Sequence, residues 1–453
     1  MSNNTHKFKY LLEMPVRKAV FHLAWPTILA VLLQNLATTV DLIMVGSLGS
    51  AEVAAVGFSA MIFWLLSSLI IGMEVSITAI VARAIGAGTP EKASRALGQA
   101  YIFGITTSIL MIISVLFLAP HIFNLFGVEQ DVFNLSVPYL RILCMCQLFM
   151  AIISASSGAL RGAGDMRTPM VIGFAVNFLH IILNYMFILG RLGSPSFGIN
   201  GAAMGTSISA FAGACFFLFL MFTERLKIGI SLKDFQLDIE RLWKVIRLAV
   251  PAAMEMIVLQ LGLLIYAKFI VAFGTTVLSG YQVGMHVLSL SFIPNTGFGM
   301  AASTLVGQNL GANRTADAKK TGWICMFWGM TLMMLMGIIF FSFAKQIASV
   351  FVSDPDVIKV AVDFIRAVAV CQGGMAIYFT LAGALRGAGD TRSPLLITLL
   401  GMYAFRIPAA WIVTDILELE VRFAFMLLIL DYIVRDIAIL TRYARGKWIE
   451  TKV

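Results

Sequence analysis

The octapeptide running from Gly158 to Asp165, Gly-Ala-Leu-Arg-Gly-Ala-Gly-Asp, returns letter for letter from Gly383 to Asp390. Both copies continue through one variable residue into Arg, Thr or Ser, and Pro (Arg167-Thr168-Pro169, Arg392-Ser393-Pro394). The register that aligns them holds upstream without a gap. It places Leu23-Ala24-Trp25-Pro26 over Leu248-Ala249-Val250-Pro251, Gly49 over Gly274, Arg141 over Arg366, and Cys146-Gln147 over Cys371-Gln372. The chain is therefore two copies of one structural unit, and any fold proposed for it must be built twice.

Composition decides where such a chain resides. Hydrophobic residues make up 59% and charged residues 13%, about half the charged share of a soluble domain, and mean hydropathy is +0.90. Apolar runs long enough to cross a bilayer recur at approximate limits 16–45, 54–81, 98–118, 133–157, 170–190 and 201–223. They recur again at 248–272, 279–305, 321–342, 358–383, 393–414 and 420–441. The expected fold class is an all-α polytopic membrane protein of twelve transmembrane helices in two six-helix lobes. Six is even, so both lobes enter the membrane in the same direction: the repeat is parallel, as in two-lobed transporters. The expected domains are 1–223, a cytoplasmic linker 224–247 whose stretch 228–242 forms a short surface helix, and 248–453.

The net charge of +9 is a matter of topology. Lys and Arg gather at alternate junctions (Arg17 and Lys18; Arg83, Lys92 and Arg95; Arg161 and Arg167; the linker; Arg314, Lys319 and Lys320; Arg386 and Arg392; Arg442 to Lys447). By the positive-inside rule these junctions and both termini are cytoplasmic, and no nucleic-acid partner is expected. The polar, Lys-bearing start runs into too long an apolar stretch for a cleaved signal. The expected location is a bacterial inner membrane, as a monomer among membrane lipids. Five cysteines lie in apolar segments without metal-ligand spacing and read as small buried hydrophobes.

The repeated octapeptide is not a phosphate loop, because no Lys-Ser/Thr follows its glycines and no strand precedes them. Its glycines end one helix and its Pro begins the next, with Arg161 and Arg386 holding the cytoplasmic end. Arg141 and Arg366 read as snorkelling anchors. Ionisable residues inside spans are the functional candidates, since each costs roughly 2.5–3.5 kcal/mol on insertion scales. Asp41 leads. Gln34, Thr38 and Asp41 share one face of span 1, and Asn177, His180 and Asn184 share one face of span 5, which predicts a hydrated pocket between helices. Pro26 lies inside span 1 and is the expected hinge. The second half is asymmetric: Tyr266 stands where Asp41 would, and Glu255 stands over Ala30. Glu255 is expected to bind substrate or cation, Lys268 being too far along the helix to pair with it. Glu74, His286, Arg406, Asp431, Arg435 and Asp436 are weaker candidates, with Asp431 and Arg435 spaced to neutralise each other. An intramembrane enzyme would need clustered Asp, a His-Glu-x-x-His helix or a Ser/His pair, and none is written in this sequence, so no catalytic residue and no cofactor are expected.

Taken together, these residues resemble the multidrug and toxic compound extrusion (MATE) family of cation-coupled exporters. The carriers are Trp25-Pro26, Gln34, Asp41 with Met44-Val45-Gly46, Val306 to Ala312, Leu183-Asn184-Tyr185, Gly198 with Gly201 to Thr206, and the doubled octapeptide. The resemblance covers essentially the whole chain. It implies alternating access between two six-helix lobes, and export of amphipathic, mostly cationic compounds in exchange for H⁺ or Na⁺. It further implies a coupling site matched here by Asp41, Tyr139, Asn184 and Thr206, with His180 where an Asn is common. H⁺ is the preferred coupling ion and Na⁺, held at Asp41 and Asn184, the other. Cys371 replaces the acidic companion usual for Glu255, which argues against a second ion site. A lipid-linked-precursor flippase is the alternative, but it would call for a strongly cationic cavity.

Overall fold

The computed structural model describes residues 11–223, 226 and 228–451. Among these, twelve long helices follow in order: α1 Val16–Gly46, α2 Ser50–Gly86, α3 Pro90–Leu125, α4 Gln130–Gly162, α5 Arg167–Leu189 and α6 Ile199–Phe222. Then come α7 Ile239–Val271, α8 Thr275–Gly311, α9 Thr315–Ser342, α10 Pro355–Gly387, α11 Arg392–Ile416 and α12 Val421–Arg445. A short helix, Ala344–Phe351, precedes α10, and α11 contains two π-helical segments, Leu400–Arg406 and Ile412–Ile416. Ten of the twelve are long and apolar enough to cross a membrane. The other two, α8 and α12, are as long but carry polar groups, Asp431 and Arg435 among them.

The sequence repeat is a backbone repeat. Ser50, Pro90, Gln130 and Arg167 each open a helix, and so do their counterparts Thr275, Thr315, Pro355 and Arg392. The octapeptide ends its helix in the same way twice. Gly164 and Gly389 take φ of 81° and 86°, a left-handed conformation that costs glycine nothing. The following aspartate then caps the next helix. Asp165 accepts from the Arg167 and Thr168 amides (3.1 and 3.0 Å), and Asp390 from the Ser393 amide (3.1 Å).

The earlier glycines of the motif serve packing. A Cβ on Gly158 or Gly162 would collide with the α2 backbone at Glu74 and Thr78, and one on Gly383 or Gly387 with the α8 backbone at Gly299 and Ser303. These are the same four places of the repeat, so α4 lies on α2 as α10 lies on α8. Gln147 and Gln372 add a buried hydrogen bond at each crossing, to Ser67 Oγ (2.7 Å) and Ser291 Oγ (2.6 Å).

The chain divides into two compact units, one of Leu29–Ala253 and the other of the residues up to Ile28 with the chain from Met254 onward. The dividing points are themselves repeat-related, and each follows a helix-interior proline, Pro26 in α1 and Pro251 in α7. Each of these helices thus contributes residues to both units.

Two details differ from the sequence reading. The linker is not one surface helix; it is a 3₁₀ turn, Leu232–Phe235, capped by Ser231 and Asp234, after which α7 starts at Ile239. Nor does it lie only on the surface. Ile228 and Ile230 are buried, Gln99 of α3 donates to Gln236 O (2.7 Å) and accepts from the Asp238 amide (3.1 Å), and Phe235 stacks on Tyr101. Hydropathy read only the charges there. Glu224, Arg225 and Lys227 lie outside the described residues. All five cysteines are free, Cys215 exposed and the rest buried. Arg141 donates to Leu116 O (2.8 Å), and Arg366 lies over the Phe341 ring.

Candidate functional site

In the first unit, α1, α5 and α6 bring four polar side chains together. Asn184 Nδ2 donates to Asp41 Oδ1 (2.8 Å) and contacts His180 Nε2 (3.0 Å). His180 Nε2 also meets Thr206 Oγ1 (3.0 Å), which reaches Ala202 O (2.9 Å), while His180 Nδ1 lies 3.6 Å from Asp41 Oδ2. Asn184 and His180 are one helical turn apart, so one face of α5 presents both. Gly205 makes room: a Cβ there would overlap Asn184 Oδ1. That oxygen is buried without a hydrogen-bond partner, an unfilled acceptor beside a carboxylate. The Asp41 side chain keeps 25% of its surface accessible, so the site is partly open.

The remaining expected members sit around this network and outside its hydrogen bonds. Tyr139 is buried in the surrounding apolar cluster with Val45, Leu143, Ile188 and Ala203. Thr38 spends its hydroxyl on Gln34 O (3.1 Å), within its own helix, and the Gln34 side chain is exposed. Asn177 lies on the same helix without joining the network.

Glu255 is not an open carboxylate. It is 3% exposed. Arg386 reaches both its oxygens, Nη2 to Oε1 (2.6 Å) and Nε to Oε2 (3.3 Å). The Tyr378 hydroxyl donates to Oε1 (2.9 Å) and sits 2.6 Å from Thr398 Oγ1. The first unit answers with Arg161 on Glu74. Each octapeptide arginine therefore binds a glutamate, a role that spacing along one helix does not reveal, because the partners are 87 and 131 residues away. Lys268 is exposed and takes no part.

The place in the second unit that corresponds to the Asp41 network is filled differently. Tyr266 replaces Asp41, and α12 brings in Asp431. Arg435 grips Asp431 with two hydrogen bonds (2.6 and 3.0 Å), and Arg406, last residue of a π-helical segment, approaches it at 3.7 Å. The Arg406 guanidinium lies 4.1 Å over the Tyr266 ring, and the Tyr266 hydroxyl donates to Ala424 O (2.6 Å). All three charged residues are at most 2% exposed, and two guanidinium groups share one carboxylate. Asp436 is turned toward Gly374, and His286 stacks on Phe351. The first unit thus offers a reachable carboxylate where the second carries a built-in cation.

The MatE family profile matches residues 26–186 and 251–412, once per repeat. The chain is 30% identical over 448 residues to the probable multidrug resistance protein NorM of Thermotoga maritima, covering 96% of this chain and 94% of that one. It is 26% identical to the multidrug resistance protein MdtK of Edwardsiella ictaluri, with 87% of each chain covered. A solved multidrug resistance MATE family transporter of the MOP superfamily, in its outward-facing conformation, shares the fold with a TM-score of 0.90, at 21% identity and 97% and 98% coverage. Two six-helix units built on one repeat, with a polar network between α1, α5 and α6 of the first, accord with these matches: the chain is a membrane-embedded transporter of the MATE family.

Proposed function

We propose that this transporter exports amphipathic, mostly cationic organic compounds in exchange for protons, and that Asp41 carries the exchanged proton. The observation that supports this reading most is the Asp41–Asn184–His180 contact set, a partly accessible carboxylate on two hydrogen-bonding groups whose donor and acceptor roles can invert. With Asp41 ionised, Asn184 Nδ2 donates to it and to a neutral His180 Nε2. With Asp41 protonated and His180 carrying its proton on Nε2, a half-turn of the Asn184 amide presents Oδ1 to both instead. Asn184 keeps its contacts with both Asp41 and His180 in each state, so the proton can leave without either contact being lost. An arriving organic cation favours the ionised carboxylate, and protonation releases the cation.

Na⁺ would take Asp41 with the unfilled Asn184 Oδ1 as hard oxygen ligands. The imidazole of His180, a nitrogen donor better suited to softer metals, favours H⁺. In the second unit the repeat-related place already holds the Arg406 guanidinium, which leaves the Asp41 network as the coupling site among the described residues. Glu255, closed on Arg386, serves the fold. The inner membrane of a bacterium with both termini in the cytoplasm is the setting the basic junctions favour.

The test is efflux of a fluorescent organic cation from proteoliposomes, driven separately by a pH gradient and a Na⁺ gradient. The expected result is pH-driven transport that Asp41→Asn abolishes. Transport driven by Na⁺ alone would reassign the ion. Movement of lipid-linked substrates with neither gradient would replace the exporter with a flippase.

A further inference from the structure

The second unit carries a groove of about 700 Å³ where the starts of α1 and α9 meet. The two starts are tied together by Arg314, just before α9, which donates to Leu12 O (3.2 Å). On α9 the groove is lined by Ala316, Lys319, Lys320, Trp323, Ile324 and Phe327. Their spacing of three and four residues makes them one continuous helical face. On α1 it is lined by Arg17. Phe21, one turn on, meets Trp328 edge to face at 5.1 Å and closes the groove's apolar end. No carboxylate lines it, and neither Arg17 nor Lys320 is in an ion pair among the described residues. Lys319 is partly engaged, donating to Ala444 O (2.9 Å).

The order along the face matters more than the composition. At roughly 1.5 Å of rise per residue, the lysines stand about 6–8 Å above the start of α9, Trp323 about 12 Å, and Phe327 and Trp328 about 18–20 Å. Cation, then interfacial indole, then hydrocarbon is the sequence of environments met by a phospholipid from phosphate to acyl chain. A soluble anion would use the first level and leave the apolar levels unfilled. A zwitterionic lipid brings its own cation to three basic side chains.

We propose that this groove is a binding site for an anionic phospholipid, its headgroup phosphate held by Arg17 and Lys320 with Lys319 behind them, and its acyl chain laid along Trp323, Phe327 and Trp328. Occupied, the lipid bridges the starts of α1 and α9.

The experiment is native mass spectrometry of the full-length protein exchanged into detergent with equimolar phosphatidylglycerol and phosphatidylcholine of identical chains. The wild type is expected to retain phosphatidylglycerol about tenfold over phosphatidylcholine. The triple variant Arg17→Gln, Lys319→Gln, Lys320→Gln should bring the ratio to within about twofold. The variant Arg241→Gln, Lys244→Gln, which removes two basic residues elsewhere, should leave it unchanged. Lys320→Gln alone should lower the ratio in part, so the claim stays testable if the triple variant folds poorly. A wild type without preference, or a triple variant that keeps it, overturns the proposal. So does displacement of the lipid by millimolar inorganic phosphate, which would mark a plain anion site.

Discussion

Glu255 on α7 and Arg386 on α10, 131 residues apart, hold each other through two hydrogen bonds in a part of the second unit where the glutamate is 3% exposed. Arg386 stands in the repeat where Arg161 stands, and Arg161 binds Glu74 of α2. At the place of Glu74 the second unit has Gly299, so its acid has moved to another helix while the arginine has not. The pair keeps a charged motif neutral inside the protein, and the acid is free to come from any helix that reaches it.

That pairing predicts a strongly coupled double-mutant cycle. Removing one partner strands the other charge, at a cost of about 3–5 kcal/mol. Glu255→Ala and Arg386→Ala should each lower the thermal midpoint in detergent by many degrees, and the double variant should be less destabilised than the sum of the two. Strict additivity would mean that the two charges do not depend on each other.

The buried cluster of the second unit makes a directional prediction. Asp431→Asn leaves Arg406 and Arg435 as uncompensated neighbours and should cost about 3–5 kcal/mol. Arg406→Gln leaves the Asp431–Arg435 pair intact and should cost about 1–2 kcal/mol, chiefly its contact with the Tyr266 ring. Chemical denaturation of the two variants side by side measures the order, and the reverse order would contradict the cluster's charge balance.

The octapeptide glycines are packing devices, so Gly158→Ala and Gly383→Ala should both reduce folded yield, by about 1–3 kcal/mol of overpacking. Gly373→Ala, on the same helix as Gly383 but with only Met334 at ordinary contact distance, should be near neutral. Yield and monodispersity after extraction report all three; equal behaviour would remove the packing account of the motif.

Much of this was legible in the chain. The repeat gave helix number, helix order and most starts, because glycine, proline and aspartate act locally at helix ends. Asp41, Asn184 and His180 were legible because a polar residue in an apolar helix stands out, and helical spacing puts neighbours on one face. The partners were not legible. Nothing in one dimension joins Glu255 to Arg386 or sets Arg406 over Tyr266, since those contacts are made by helices crossing at angles the repeat does not encode. Arg406 was further disguised by the π-helical segment that ends on it, which breaks the regular period on which such readings depend. The linker misled for a different reason: its charges face outward while Ile228 and Ile230, too few to raise hydropathy, do the anchoring.

The coupling network predicts a change of ion. Replacing His180 with Asn puts an amide oxygen beside Asp41 and Asn184 in place of a ring nitrogen. His180→Asn should lose part of its pH-driven efflux and gain Na⁺-driven efflux in the same vesicles. A variant that loses pH-driven efflux and gains none with Na⁺ would assign His180 to structure alone.

The central claim, that Asp41 gives up a proton when the organic cation arrives, is tested most directly by proton release. Purified protein in weakly buffered detergent is titrated with tetraphenylphosphonium while the pH is recorded. The wild type should acidify the solution in proportion to bound cation, and Asp41→Asn should bind more weakly and release nothing. Equal proton release from Asp41→Asn and wild type would place the exchanged proton on another group.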